Sequence, residues 1–165
     1  MRFFTHEWAL LEGPDANAVY TAYERVIRTA SDKLGIRLED FVREFDLRGS
    51  LVDRISSSKS CDDLRLELVI GDNQRGYSAL HLSYLGGQIT YSGDSLIEAL
   101  DARSTRIRFD EFDLEAGDKL HHRFLLWPKQ RGEMEISCVG FSWEVWRLSS
   151  RAYQNFGEIV QLNEQ

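Results

Sequence analysis

Hydrophobic positions along this chain recur first at helical spacing and then, from about residue 51, at strand spacing. After Gly13-Pro14, Asp15 stands where it can cap a helix on which Val19, Ala22, Tyr23, Val26 and Ala30 recur at three- and four-residue steps, reaching as far as Leu34 before Gly35. A shorter helix, about Glu39 to Phe45, gathers Phe41, Val42 and Phe45 on one side, and Gly49 breaks it. Leu51, Val52 and Ile55 then open a short strand. Leu64, Leu66, Leu68 and Ile70 alternate with Arg65 and Glu67 in a longer one. Gly71-Asp72-Asn73 reads as a turn into Tyr77 to Leu85, where Leu80, Leu82 and Tyr84 share one face with Ala79, His81 and Ser83 opposite. Gly86-Gly87 reads as a further turn into Gln88 to Tyr91. Ser95 to Leu100 fits either one helical turn or an irregular crossing. Arg106 to Phe112 begins as a strand with Ile107 and Phe109 inward and Arg106, Arg108 and Asp110 outward, and Gly117-Asp118 turns the chain back.

The stretch Lys119 to Leu148 carries three of the four tryptophans and reads as two long strands joined by a polar turn. Leu120, His122, Phe124 and Leu126 hold one parity. The other begins polar with His121 and Arg123 and becomes apolar at Leu125 and Trp127, so both faces should be covered before Pro128 stops the run. In the return run Met134 to Leu148, Ile136 and Cys138 lie on one face and Val139, Phe141, Trp143 and Val145 on the other. Gly140 marks a bulge at the change of phase. Phe124, Leu126, Phe141 and Trp143 are the expected centre of the core. Trp143 and Trp146 have opposite parity, so one should face the core and the other a second layer or a partner.

Helices first and strands afterwards is the order of an α+β fold, with N-terminal helices packed on a curved, mostly antiparallel sheet of about six strands. At 165 residues the chain fits one domain, with 1–50 mainly helical and 51–150 mainly β, and no internal repeat or linker divides it. Cys61 and Cys138 lie far apart without a C-x-x-C spacing, which points to free thiols and a reducing cytoplasm. No secretory leader opens the sequence, and nowhere do the roughly 18 consecutive apolar residues of a membrane span occur. With 20 Lys and Arg against 27 Asp and Glu, the formal net charge is −7, which disfavours nucleic acid and favours a basic protein surface as partner.

The chemistry-bearing motifs are few. Neither a phosphate-cradling loop nor a dinucleotide fingerprint occurs, and there is no nucleophile elbow around a serine. His121 and His122 point to opposite faces of a strand, so a metal site would have to draw His81 or His6 beside one of them. His122 shares parity with Leu120 and Phe124, which makes a hydrogen-bonded core histidine the better reading. No cofactor, metal site or catalytic group is assigned. The acidic run Asp110, Glu111, Asp113 and Glu115 fits no calcium loop, because from Asp113 the glycine arrives at the fifth position and no bidentate carboxylate follows at the twelfth. These four carboxylates read as a solvated rim between two strands and as the candidate surface for a partner.

Arg2-Phe3-Phe4-Thr5-His6-Glu7-Trp8, Asp110-Glu111-Phe112-Asp113, His122 through Pro128 and Glu135-Ile136 resemble a group of small bacterial proteins with an F-T-x-E-W opening and a C-terminal H-R-x-L-x-W-P strand. Leu51-Val52-Asp53 stands where that group has L-H-D. The resemblance implies an α+β architecture and a bacterial cytoplasmic setting, and no activity. The function expected is that of a non-catalytic binding or accessory protein, in its most specific form an immunity-type protein neutralising a basic partner. The alternatives are an enzyme with a noncontiguous histidine-based or metal site, and ligand capture in the concavity of the sheet.

Overall fold

The computed structural model describes residues 1–5, 8, 16–57, 63–72, 74, 76–93, 95–101, 105–115, 118–128 and 132–148. Asp15, His6, Cys61, Asn73 and Gly117, each given a role from the sequence, lie outside the described residues. Among the described residues, three helices, α1 (Ala16–Leu34), α2 (Leu38–Glu44) and α3 (Leu96–Asp101), accompany eight strands: β1 (Leu51–Ser57), β2 (Leu64–Asp72), β3 (Gly76–Leu85), β4 (Gln88–Tyr91), β5 (Arg106–Glu115), β6 (Lys119–Trp127), β7 (Glu133–Cys138) and β8 (Gly140–Arg147). The strands form one antiparallel sheet in the order β4-β7-β6-β5-β1-β2-β3-β8, with α1 and α2 packed on it, an α+β architecture. No helix among the described residues is long and apolar enough to cross a membrane.

α1 ends where a left-handed residue is needed. Gly35 has φ of 62°, and the Ile36 amide donates back to the Ser31 carbonyl at 3.3 Å, a six-residue closure that only a residue without a Cβ adopts freely. The alternation read in β2, β3 and β6 is realised, with Leu66, Leu68, Leu80, Leu82, Tyr84, Leu120, Phe124 and Leu126 completely buried, Leu64 buried and Ile70 half-buried at the end of its row. The segment 96–101 resolves as the helical alternative, α3.

Three features depart from the sequence pattern. First, Gly86-Gly87 makes no hairpin. Leu85 pairs with Gly140 and Gln88 with Ser137, so β3 and β4 continue as one bent path that keeps a single register against β7 and β8. The two terminal strands of the sheet are thereby joined through this ribbon, which curls the sheet around its apolar side. Second, the return run is shared between two neighbours, since β7 pairs with β6 while β8 leaves to pair with β3. The phase change near Gly140 is present, with Met134, Ile136 and Cys138 buried before it and Phe141 after it, whereas Val139 and Val145 are exposed. Trp143 packs against the core and Trp146 faces outward. Of the apolar pair ending β6, Leu125 is buried and Trp127 is half exposed beneath the Arg108 guanidinium.

Third, β5 changes phase. Ile107 pairs with Leu126 and Phe109 with Leu125, leaving Arg108 as an extra residue, and beyond that bulge the inward side chains are Asp110, Phe112 and Leu114. Phe109 and Asp110 therefore exchange the sides that simple alternation gives them. β5 meets β1 at a single paired position, Leu51 with Arg106, supported by backbone bonds at Gly49, Ser50 and Val52. Past that seam the free edge of β5 is met by α1, whose Tyr23 hydroxyl accepts the Phe112 amide at 3.0 Å. α2 sends Phe41 inward, where its ring lies 5.1 to 5.7 Å from those of Phe112, Phe141 and Trp143 on β5 and β8.

Phe41 is 1% exposed and joins α2 to β5 and β8. Phe41→Ala should therefore cost about 3–5 kcal/mol in urea unfolding, the usual loss for a fully buried aromatic, while Val145→Ala should change stability by no more than about 0.5 kcal/mol. A Phe41→Ala loss below about 1 kcal/mol would show that α2 is not part of the cooperative core.

Candidate functional site

The bulge in β5 divides the acidic run between two environments. On the outer row, Glu111 is completely buried and Asp113 nearly so, which corrects the expectation of a solvated rim. The Glu111 carboxylate accepts the backbone amides of Arg2, Phe3 and Phe4, the last two at 2.7 and 3.0 Å, and so clamps the N-terminal segment onto the sheet. The Met1 amino group lies 2.8 Å from Glu133. Phe4, held by that clamp, packs against Tyr23 at 5.1 Å and Phe109 at 6.0 Å between ring centres.

Asp113 is bound by Arg123 at 3.0 Å and by Arg2 at 3.0 and 3.2 Å. Burial alone would raise the Asp113 carboxyl, but these two guanidinium groups carry it below its ordinary value. Arg123 also reaches Glu135 at 2.5 Å and Glu115 at 2.7 Å. Burial opposes the Arg123 charge, and the bonds to Glu135 and Asp113 more than offset it, so its pKa rises. His121 sits on the same row, 3.1 Å from Glu135 and 3.4 Å from Glu115. Glu111 and Asp113 are thus committed to internal partners, and Glu115 alone of the outer three is substantially exposed.

On the inner row, Asp110 and His122 come together with Tyr84. The His122 ring is enclosed by Phe112 at 3.7 Å and Phe124 at 4.0 Å and has no exposed surface. Burial pushes its pKa down even though Asp110 works against that shift, so the ring is neutral in the fold. A neutral ring beside a carboxylate takes one tautomer: Nε2–H donates to Asp110 Oδ2 at 3.1 Å, and Nδ1 accepts the Tyr84 hydroxyl at 2.8 Å. Both nitrogens are spoken for. His81 stands apart on β3 near Trp146 and is not brought beside His121 or His122.

Asp110 also lines a pocket of about 260 Å³ between the N-terminal segment, α1, α2 and β5. Its walls are the rings of Phe4, Tyr20, Tyr23, Phe41, Phe45 and Phe109. At the rim, Arg48 is held by Asp46 through Nε at 2.8 Å and Nη2 at 2.5 Å, so those two charges offset each other. Among the described residues, Asp110 Oδ1 accepts no hydrogen bond. Burial, with Asp110 nearby, raises the Tyr23 phenol well above its ordinary value and keeps it protonated. The result is an aromatic-walled recess with one carboxylate oxygen available to a donor, suited to a cation. Sequence reasoning named Asp110 but missed the pocket. The apolar spacing that put Phe41 and Phe45 on one helix face was legible, but nothing local placed that face against Phe4 and Asp110.

Two outcomes test this account. Glu111→Ala should release the N-terminal segment, cost about 1.5–3 kcal/mol through exposure of Phe4, and speed hydrogen exchange at the Phe3 and Phe4 amides; unchanged protection would show that the clamp is dispensable. His122, with a folded pKa below its unfolded one, contributes stability that is complete above about pH 6.5 and declines as the pH falls toward the lowered folded value, by at most about 1.4 kcal/mol per pH unit. Urea unfolding between pH 7 and 5 should show this slope in the native protein and a shallower one in His122→Asn, and equal slopes would exclude His122 as its source. No protein-family model, curated protein or solved structure matches the chain, so any function assigned to it stands on the geometry of Asp110 and its aromatic surroundings.

Proposed function

We propose that this is a non-catalytic binding protein that engages a basic protein partner, with Asp110 and its pocket as the recognition point. The observation that carries the reading is that Asp110 Oδ1, in an aromatic-walled recess of a chain of net charge −7, accepts no hydrogen bond among the described residues. The acidic run as a whole does not serve equally: Glu111 and Asp113 hold the fold together, leaving Asp110 for insertion and Glu115 at the rim for steering. An immunity-type role fits this chemistry, because a soluble acidic protein can occlude a basic surface without a reaction. A reducing, cytoplasmic setting belongs to this reading, in which the buried Cys138 thiol, raised by burial to about 11, stays protonated and unreactive.

The chain Tyr84–His122–Asp110 favours a second reading, an enzyme in which Asp110 acts as a base backed by the histidine. Against it, Tyr84 and His122 have no exposed surface, so only the carboxylate could meet a substrate.

A pull-down from the source lysate at low and at moderate salt, using native protein and Asp110→Asn with matching circular dichroism spectra, separates the outcomes. Basic proteins should be retained by the native form at low salt and lost from the variant. Equal retention by both forms would overturn the reading.

A further inference from the structure

We propose that the pocket beside Asp110 receives a lysine ammonium group in preference to an arginine guanidinium. The assignment deepens the reading of the protein as a binder of a basic partner and rests on it. Asp110 has one oxygen to offer: Oδ2 accepts His122 Nε2–H at 3.1 Å, and Oδ1 accepts no bond among the described residues. A guanidinium bonds a carboxylate best with its planar fork on both oxygens, and it brings five donors in fixed directions. An ammonium is compact and can be held by one strong acceptor; both cations gain from aromatic faces, so the single open oxygen is what separates them.

The walls add few acceptors. Phe4, Phe41, Phe45 and Phe109 have none, and the Asp46 carboxylate in the lining is taken by Arg48, so the five donors of a guanidinium would be harder to satisfy here than the three of an ammonium. The three donors of an ammonium are met by Asp110 Oδ1 and by water at the mouth, where Tyr20 is 43% exposed. The volume of about 260 Å³ falls below the usual range of small-molecule sites, roughly 300–1,000 Å³, and suits a headgroup with part of its methylene stem. Arg48, paired with Asp46 through Nε and Nη2, also feels the Asp110 charge and so weakens the attraction, but it gives Oδ1 no hydrogen bond.

The test is calorimetric titration of the intact protein with Nα-acetyl-lysine methylamide and Nα-acetyl-arginine methylamide at one ionic strength, with the ring protons of Tyr20 and Phe109 followed by NMR. The lysine probe should bind about tenfold more tightly than the arginine probe. Asp110→Asn should weaken it by at least about tenfold. Because Asp110 also supports His122, Tyr20→Leu at the half-exposed wall serves as the second variant and should weaken it about threefold with the fold intact. Equal or tighter binding of the arginine probe would overturn the ammonium assignment while leaving the binder reading in place. Failure of both probes to bind, or lysine binding unchanged in both variants, would overturn the two together.

Discussion

The extra residue in β5, Arg108, sets the side of the sheet on which every later side chain of that strand lies. Without it, Asp110 would face outward with the row that holds the N-terminal segment, and Glu111 would point into the apolar interior. With it, Asp110 meets His122, Phe112 stacks on the same ring, and Glu111 turns to the backbone amides of residues 2 to 4. A bulge of this kind re-aims side chains without breaking the ladder on either side, and the pairing of β5 with β6 runs on to Glu115 and Lys119.

Two buried polar systems follow from that change of side, and each is satisfied in a different way. Glu111 is surrounded by donors, with Arg123 3.9 Å away, so its desolvation is offset by charge-assisted bonds. His122 instead stays neutral and passes one hydrogen bond along a line from Tyr84 to Asp110. Both systems tie segments far apart in sequence, 109 residues for Arg2 with Glu111 and 38 for Tyr84 with His122. Removal of either would strand several partners at once, since buried networks hold together or fail as units.

The pocket lies where the sheet pairing runs out. β1 and β5 share one paired position, and beyond it α1, α2 and the N-terminal segment close the gap with aromatic rings instead of backbone bonds. A strand edge covered by side chains leaves room that a paired strand would not, and Asp110 stands at that opening because the bulge has put it there. The same geometry that completes the core therefore leaves one carboxylate oxygen facing a recess.

The sequence by itself determined the elements whose burial depends on local period. α1 with its Gly35 end, α2 to within a residue, and the inward rows of β2, β3 and β6 follow from side chains recurring at 3.6 or 2 residues, and the helices-then-strands order sufficed for the α+β class. His122 was readable as a core histidine because its parity matched Leu120 and Phe124. What only the tertiary structure decided were the partners across long separations. Gly86-Gly87 could be taken for a hairpin until β4 was seen to pair with β7, and the acidic run looked like a rim because neither the Arg108 bulge nor the arrival of residues 2 to 4 at Glu111 leaves a local trace. A carboxylate carries the same letter whether water or a backbone amide satisfies it, and the choice is made by whatever the fold brings beside it.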